Sequence, residues 1–201
     1  MAVTGYDIGV RTAAISNVQL AVSLWTLEFD SELLFIGDAG NTEANRGSRR
    51  YGTEVGLWYR PFAWLILDSD LAWSHAAFTG DDPAGDHIPG AVESVASVGL
   101  AIDHPSGWNG GLRFRHFGSA PLIEDDSVRS DPTTVVNARA GYDFSERLGL
   151  TFEVCNLFDS DDNDITYYYE SQLPGEPEPV ADIHFHPVEP RSWRIALHGH
   201  F

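Results

Sequence analysis

Apolar and polar side chains alternate along most of this chain with the two-residue period that puts successive side chains on opposite faces of a strand. The last stretch does so most plainly: Trp193, Ile195, Leu197, Gly199 and Phe201 share one face, and Ser192, Arg194, Ala196, His198 and His200 the other. Tyr51, Thr53, Val55, Leu57 and Tyr59 alternate likewise with Arg50, Gly52, Glu54, Gly56, Trp58 and Arg60. Leu65, Leu67, Leu71 and Trp73 then oppose Asp68, Asp70, Ala72 and Ser74. Together with residues 6–14, 18–36, 95–103, 110–118, 135–144 and 148–158, these stretches predict roughly nine strands. The far end of 18–36, with Glu28, Asp30 and Glu32, is too polar for hydrocarbon and is expected to project into water.

The connections fall into two alternating sets. Those near residues 15, 61, 105 and 146 are tight, whereas 37–47, 79–90, 119–133 and 159–190 read as long loops, the first two rich in Gly and Asp. A soluble sandwich has no reason to sort its loops in this way. Outer-membrane barrels keep short turns on the periplasmic side and long loops outside. The predicted fold class is therefore all-β: an antiparallel transmembrane β-barrel with its apolar face toward lipid and its polar face lining the lumen. Bacterial single-chain barrels have even strand numbers. The odd count, and a first strand that would run toward the short-turn side, lead to the expectation of a partial barrel lacking its amino-terminal strands.

Composition narrows the partners. Against 30 acidic residues stand 12 basic ones, all arginine, giving a net charge of −18. Phosphate backbones would be repelled, so nucleic acid is excluded as a partner. The longest unbroken apolar run, residues 62–67, is far shorter than the ~20 residues of a membrane-spanning helix. Any crossing falls to the strands, and Tyr51 and Tyr59 bracket one apolar face as interfacial aromatic residues do. The single cysteine, Cys155, permits no internal disulfide framework and has the context of a packing residue. Residues 1–7 show no basic segment, apolar core or cleavage site of a secretory leader, which strengthens the expectation of a fragment.

Three groups of residues could carry chemistry. Asp182, His184 and His186 share a strand face at the spacing of metal ligands. They support a reading of another class, a soluble β-sandwich metal-binding domain using His184 and His186, whose apolar strand faces would close on a dry core. Asp159, Asp161, Asp162 and Asp164 crowd one loop without the spaced ligands and glycine of a calcium-binding loop, and read as a solvated acidic segment. Arg50, Arg113, Arg115, Arg139 and Arg194 on the polar faces could hold an anionic ligand, or pair with Glu54, Asp68, Asp70, Asp143 and Glu153 on neighbouring strands. No phosphate-binding loop or nucleophile elbow occurs, so neither a catalytic residue nor a cofactor is expected.

The run Arg49-Arg50-Tyr51-Gly52-Thr53-Glu54-Val55, followed by Tyr59-Arg60-Pro61 and Trp64-Leu65, resembles the barrel of TonB-dependent outer-membrane receptors. Phe152-Glu153-Val154-Cys155-Asn156-Leu157-Phe158-Asp159 is similar to that family's penultimate strand and its Asn-Leu-Phe-Asp exit, and the run from Asp182 to Arg191 also fits. The resemblance implies that residues 1–201 are the carboxy-terminal portion of a 22-stranded barrel. It further implies residence in the bacterial outer membrane, contact with its lipid, and uptake of a scarce ligand such as an iron chelate. The TonB complex would be engaged only through a plug domain that this chain lacks. Arg113, Arg115, His184 and His186 are the ligand-binding candidates. The chain departs from the family at Gly199, where a bulky residue is usual, and a small self-contained outer-membrane barrel is the nearest alternative.

Overall fold

The computed structural model describes residues 2–36, 41–44 and 46–199, which contain thirteen strands and no helix. Nine of the strands form one antiparallel meander: β1 Val3–Thr12, β2 Val18–Phe29, β5 Ser48–Phe62, β6 Leu65–Phe78, β7 Ser94–Asp103, β8 Trp108–Phe117, β9 Thr133–Ser145, β10 Leu148–Cys155 and β13 Ser192–Gly199. The other four form two hairpins inserted into long connections, β3 Leu33–Ile36 with β4 Asn41–Ala44, and β11 Asn163–Ser171 with β12 Val180–Pro187. Each sheet strand pairs with its nearest sheet neighbour in sequence. The tight connections lie at one rim and the long ones at the other, as the sequence predicts.

Three expectations need correction. The pattern over 18–36 is not one strand: it stops at Phe29, Asp30 and Ser31 turn the chain, and Leu33–Ile36 pairs forward with part of the expected loop 37–47. The expected loop 159–190 holds the β11–β12 hairpin, whose two strands are joined by residues 172–179. The strand from 148 ends at Cys155 because Asn156 takes a left-handed conformation (φ 50°). His200 and Phe201, which the alternation assigns to opposite faces of the last strand, lie outside the described residues.

The register assigns every sheet strand to the same two faces. The ladder Tyr59, Leu67, Leu100, Leu112, Ala138, Val154 and Trp193 runs across seven strands, and Val10, Val22, Val55, Leu71 and Ala96 form another across five. Directly opposed residues in an antiparallel pair share a face, so the apolar stripe is continuous. Tyr51, Leu57, Leu71, Leu112, Phe152 and Leu197 on this stripe are all exposed. No second sheet packs on it among the described residues, since the nine-stranded sheet contacts itself only between neighbours. The β-sandwich expectation therefore fails: its dry interior does not exist here.

Aromatic residues gather at both ends of this face. Near the tight turns, Phe62 stacks on Trp64 at 5.2 Å, Trp64 meets His104 at 5.0 Å, and Trp108 meets Tyr142 at 4.9 Å. Nearer the long connections, Tyr51 packs against Trp73 at 6.0 Å and Phe152 against Trp193 at 5.4 Å. Tyr51 and Tyr59 are eight positions apart, ~26 Å along a strand and about 20 Å in height for a strand tilted ~40°. That is close to the ~25 Å apolar band of outer-membrane barrels.

The opposite face is polar and concave, and hollows of about 480 and 380 Å³ lie mainly against its residues. Trp25 lies across the backbone of β5 there: a Cβ on Gly52 would stand 2.5 Å from the Trp73 carbonyl oxygen and 2.7 Å from the Trp25 ring. Gly52→Val therefore overpacks the wall, and is expected to cost about 1–3 kcal/mol. The check is the temperature at which the folded, fast-migrating form is lost on a denaturing gel; an unchanged temperature would contradict the packing described.

Candidate functional site

The concave wall and the long-loop rim above it hold the polar residues that the sequence singles out. On the wall, most arginines are paired. Arg113 reaches across β7 to Asp68, with Nη2 3.1 Å from Oδ1 and a second, shorter contact from Nη1 to Oδ2, and it also touches Ser97 Oγ at 3.3 Å. The intervening residue is Gly99, where a Cβ would meet the Arg113 guanidinium and the Asp68 carboxylate at 2.5 Å. Arg139 and Arg194 flank Glu153 at 3.8 and 3.7 Å, and His198 lies 3.3 Å from Asp143. Arg50 pairs with Glu32 at 2.7 Å, not with Glu54. Arg115 has no hydrogen bond or ion pair among the described residues, and lines the 380 Å³ hollow with Phe117, Asn137, Cys155 and His186.

The metal-ligand trio does not assemble. The His184 ring stacks on Tyr169 at 3.9 Å, its Nε2 buried without a hydrogen-bond partner, and Asp182 Oδ1 accepts from the Ile183 N–H. His186 lines the hollow instead. Among the described residues no three His, Cys, Asp or Glu side chains are grouped to hold a metal ion, which removes the geometric basis for a metal-binding domain built on His184 and His186.

At the rim, two loops fold onto each other. Phe78, Ile88, Ala120 and Leu122 are buried between 79–93 and 118–132. The loops are joined by His87 N–H donating to the Glu124 carbonyl (3.0 Å) and Gly90 N–H to the Pro121 carbonyl (2.8 Å). Arg46 covers the Phe78 ring at 4.5 Å and binds Glu124 at 2.6 Å. Gly85 makes this approach possible, with φ +108° and a Cβ position only 2.1 Å from the Glu124 oxygen. Beside it, hydrogen bonds from Ser127, its backbone N–H first, hold the Asp125 carboxyl below its usual range.

Asn156 has a role that strand periodicity does not reveal. It is 3% exposed and in a left-handed conformation that asparagine tolerates. Its amide donates to the carbonyls of Ser160 (3.0 Å) and Glu189 (3.1 Å), and its Oδ1 accepts from the Ser160 N–H (2.9 Å). Asp159, also left-handed, accepts from the backbone N–H of Arg191 at 2.9 Å and its guanidinium at 3.2 Å. The exit of β10 and the entry to β13 are thus tied together at the base of the β11–β12 hairpin. The signal in the sequence is the Asn-Leu-Phe-Asp exit itself, whose two polar residues are the ones that make the knot.

A family model described as "TonB dependent receptor-like, beta-barrel" matches residues 3–157, more than three-quarters of the chain. The chain belongs to that family. TonB-dependent receptors of known structure share its fold: the ferric-catecholate import receptor Fiu of Escherichia coli K12 in its closed form (TM-score 0.73, 19% identity), the ferric yersiniabactin uptake receptor FyuA of Yersinia pestis (0.71, 18%) and the copper transporter OprC (0.68, 18%). Each comparison covers 99% of this chain but only 27%, 30% and 32% of the other. The chain thus spans under a third of the length of these TonB-dependent receptor neighbours, and at such identities they establish the fold alone.

Asn156→Ala would leave the Ser160 N–H and the carbonyls of Ser160 and Glu189 without their side-chain partner. The expected cost is about 1–3 kcal/mol, concentrated in residues 156–191. Limited proteolysis should cut this segment faster in the variant while the β5–β8 wall stays protected; equal cleavage rates would refute the knot.

Proposed function

We propose that residues 1–201 form the carboxy-terminal part of the barrel wall of a bacterial outer-membrane receptor that takes up a scarce ligand such as an iron chelate. On this reading the protein is a transporter and not an enzyme. The observation that carries it is the continuous exposed apolar band on one face of the nine-stranded sheet, opposite a polar concave face. Lipid is the neighbour that such a band fits, because water would leave it uncovered and no protein layer covers it among the described residues. The ligand would meet the loop rim and the concave wall from outside. Energy would come from the TonB complex through a plug domain. Siderophore and metal import by the structural neighbours favour a metal chelate over other cargo.

The side of the wall that meets lipid is open to a direct test in the gene product that carries this chain. Trp73, Trp108 and Trp193 lie on the apolar face and are exposed, whereas Trp58 lies on the concave face. Variants retaining one of these tryptophans, reconstituted in vesicles, should be quenched by lipids brominated on the acyl chains for the first three positions and not for Trp58. Equal quenching of Trp58 would overturn the orientation. In parallel, Leu112→Arg should cost about 2–4 kcal/mol, the penalty for a cation near the bilayer midplane, while Ser97→Arg on the other face should not.

A further inference from the structure

Arg115 is left without a partner by the strand between it and its natural counter-ion. Two neighbouring rows cross β6, β7 and β8. In one, Asp68, Gly99 and Arg113 are in register, and in the next, Asp70, Ser97 and Arg115. The first row closes into a two-pronged ion pair because its middle residue has no side chain to stand in the way. The second has the Ser97 side chain in the middle, and the Ser97 hydroxyl is engaged by Arg113 at 3.3 Å. Asp70 turns the other way, its Oδ1 3.4 Å from the Cβ position of Gly56 on β5. The two rows have the same charges and differ in outcome through one residue.

The freed guanidinium lines the hollow of about 380 Å³ at the foot of the β11–β12 hairpin. Phe117, which is exposed, Val135 and Val188 supply apolar walls, while Asn137, Asn156 and His186 supply polar ones. Asp164 and Glu189 line it too, and neither pairs with Arg115. We propose that this hollow is a ligand subsite in which Arg115 binds the carboxylate of a singly charged molecule with an apolar, ring-sized body. A guanidinium fork matches a carboxylate bidentately, the body would lie against Phe117 and Val135, and the two acidic residues would repel a second negative charge. The proposal rests on the concave face being the lumen wall, and it adds the chemical class of one ligand and the residue that selects it.

Benzoate and its neutral isostere benzamide are suitable probes, titrated by calorimetry into the detergent-solubilised, folded gene product that carries this chain. Benzoate should bind at least about tenfold more tightly than benzamide, and Arg115→Gln should abolish that preference. Ser97→Gly should let Arg115 close onto Asp70 as Arg113 closes onto Asp68, weakening benzoate severalfold, and Asp70→Asn added to it should restore binding. Wild-type protein that binds the two probes equally, or an Arg115→Gln variant that keeps the preference, would overturn the proposal. Heat-dependent gel migration shows that each variant is folded. The titration needs no lipid, so its failure leaves the membrane reading standing, whereas Trp58 quenching would remove that reading whatever benzoate does.

Discussion

Everything in this molecule depends on one constraint of register: nine strands must agree on which face is apolar. Because side chains alternate with a period of two, a slip of a single residue at one ladder would carry that strand's charges to the apolar face. For β6 this would move Asp68 and Asp70 into the surface occupied by Leu67 and Leu71, and an unpaired carboxylate in an apolar medium is strongly disfavoured. The two ladder irregularities of the wall, between Tyr59 and Phe62 and between Leu148 and Gly149, both lie at the tight-turn end. The middle of the apolar band is therefore crossed by uninterrupted pairing.

Concavity adds a second demand. On the inside of a curved wall side chains converge, and the small residues are placed accordingly: Gly9, Gly52, Gly56, Gly99, Gly111 and Gly149 all fall on the concave face by register. The space they leave is filled by long polar or aromatic neighbours, as when Trp25 lies over Gly52 or Arg113 spans Gly99. Glycine placement thus decides which charges across the wall can meet. Opposite charges two strands apart are ~10 Å apart at the backbone, within reach of an arginine only when nothing stands between them.

The wall was legible because each of its strands has one apolar and one polar face, which writes the period into the sequence. Residues 49–60, 64–78 and 192–199 alternate cleanly, and the structure places them as that alternation requires. The β11–β12 hairpin carries no such signal. Tyr167, Tyr168 and Tyr169 are consecutive, and exposed apolar residues such as Tyr167 and Phe185 lie on both of its faces, so no two-residue period marks it. The break after Phe29 was hidden for the opposite reason: Leu33 to Ile36 prolongs an apolar pattern, and only the turn at Asp30 and Ser31 interrupts it. For the candidate site, residue types and faces could be read, but partners could not. That Arg113 is bound and Arg115 is free depends on what sits on the intervening strand, and strand adjacency is a property of the fold.

The edges remain the least satisfied part of the wall. Among the described residues β1, exposed along all ten of its positions, pairs only with β2, and β13 only with β10, so each presents an open row of backbone groups. In water such a row is a liability toward other strands; in hydrocarbon each unsatisfied N–H or C=O costs several kcal/mol. Roughly half of the backbone groups of an edge strand point outward, so an uncovered edge crossing the bilayer would outweigh any gain from its apolar stripe. The sheet described here can therefore stand in a membrane only with strands paired along both edges. The chain's share of its structural neighbours, 27–32% of their length, is in keeping with a wall segment whose edges are meant to be met by the rest of a closed barrel.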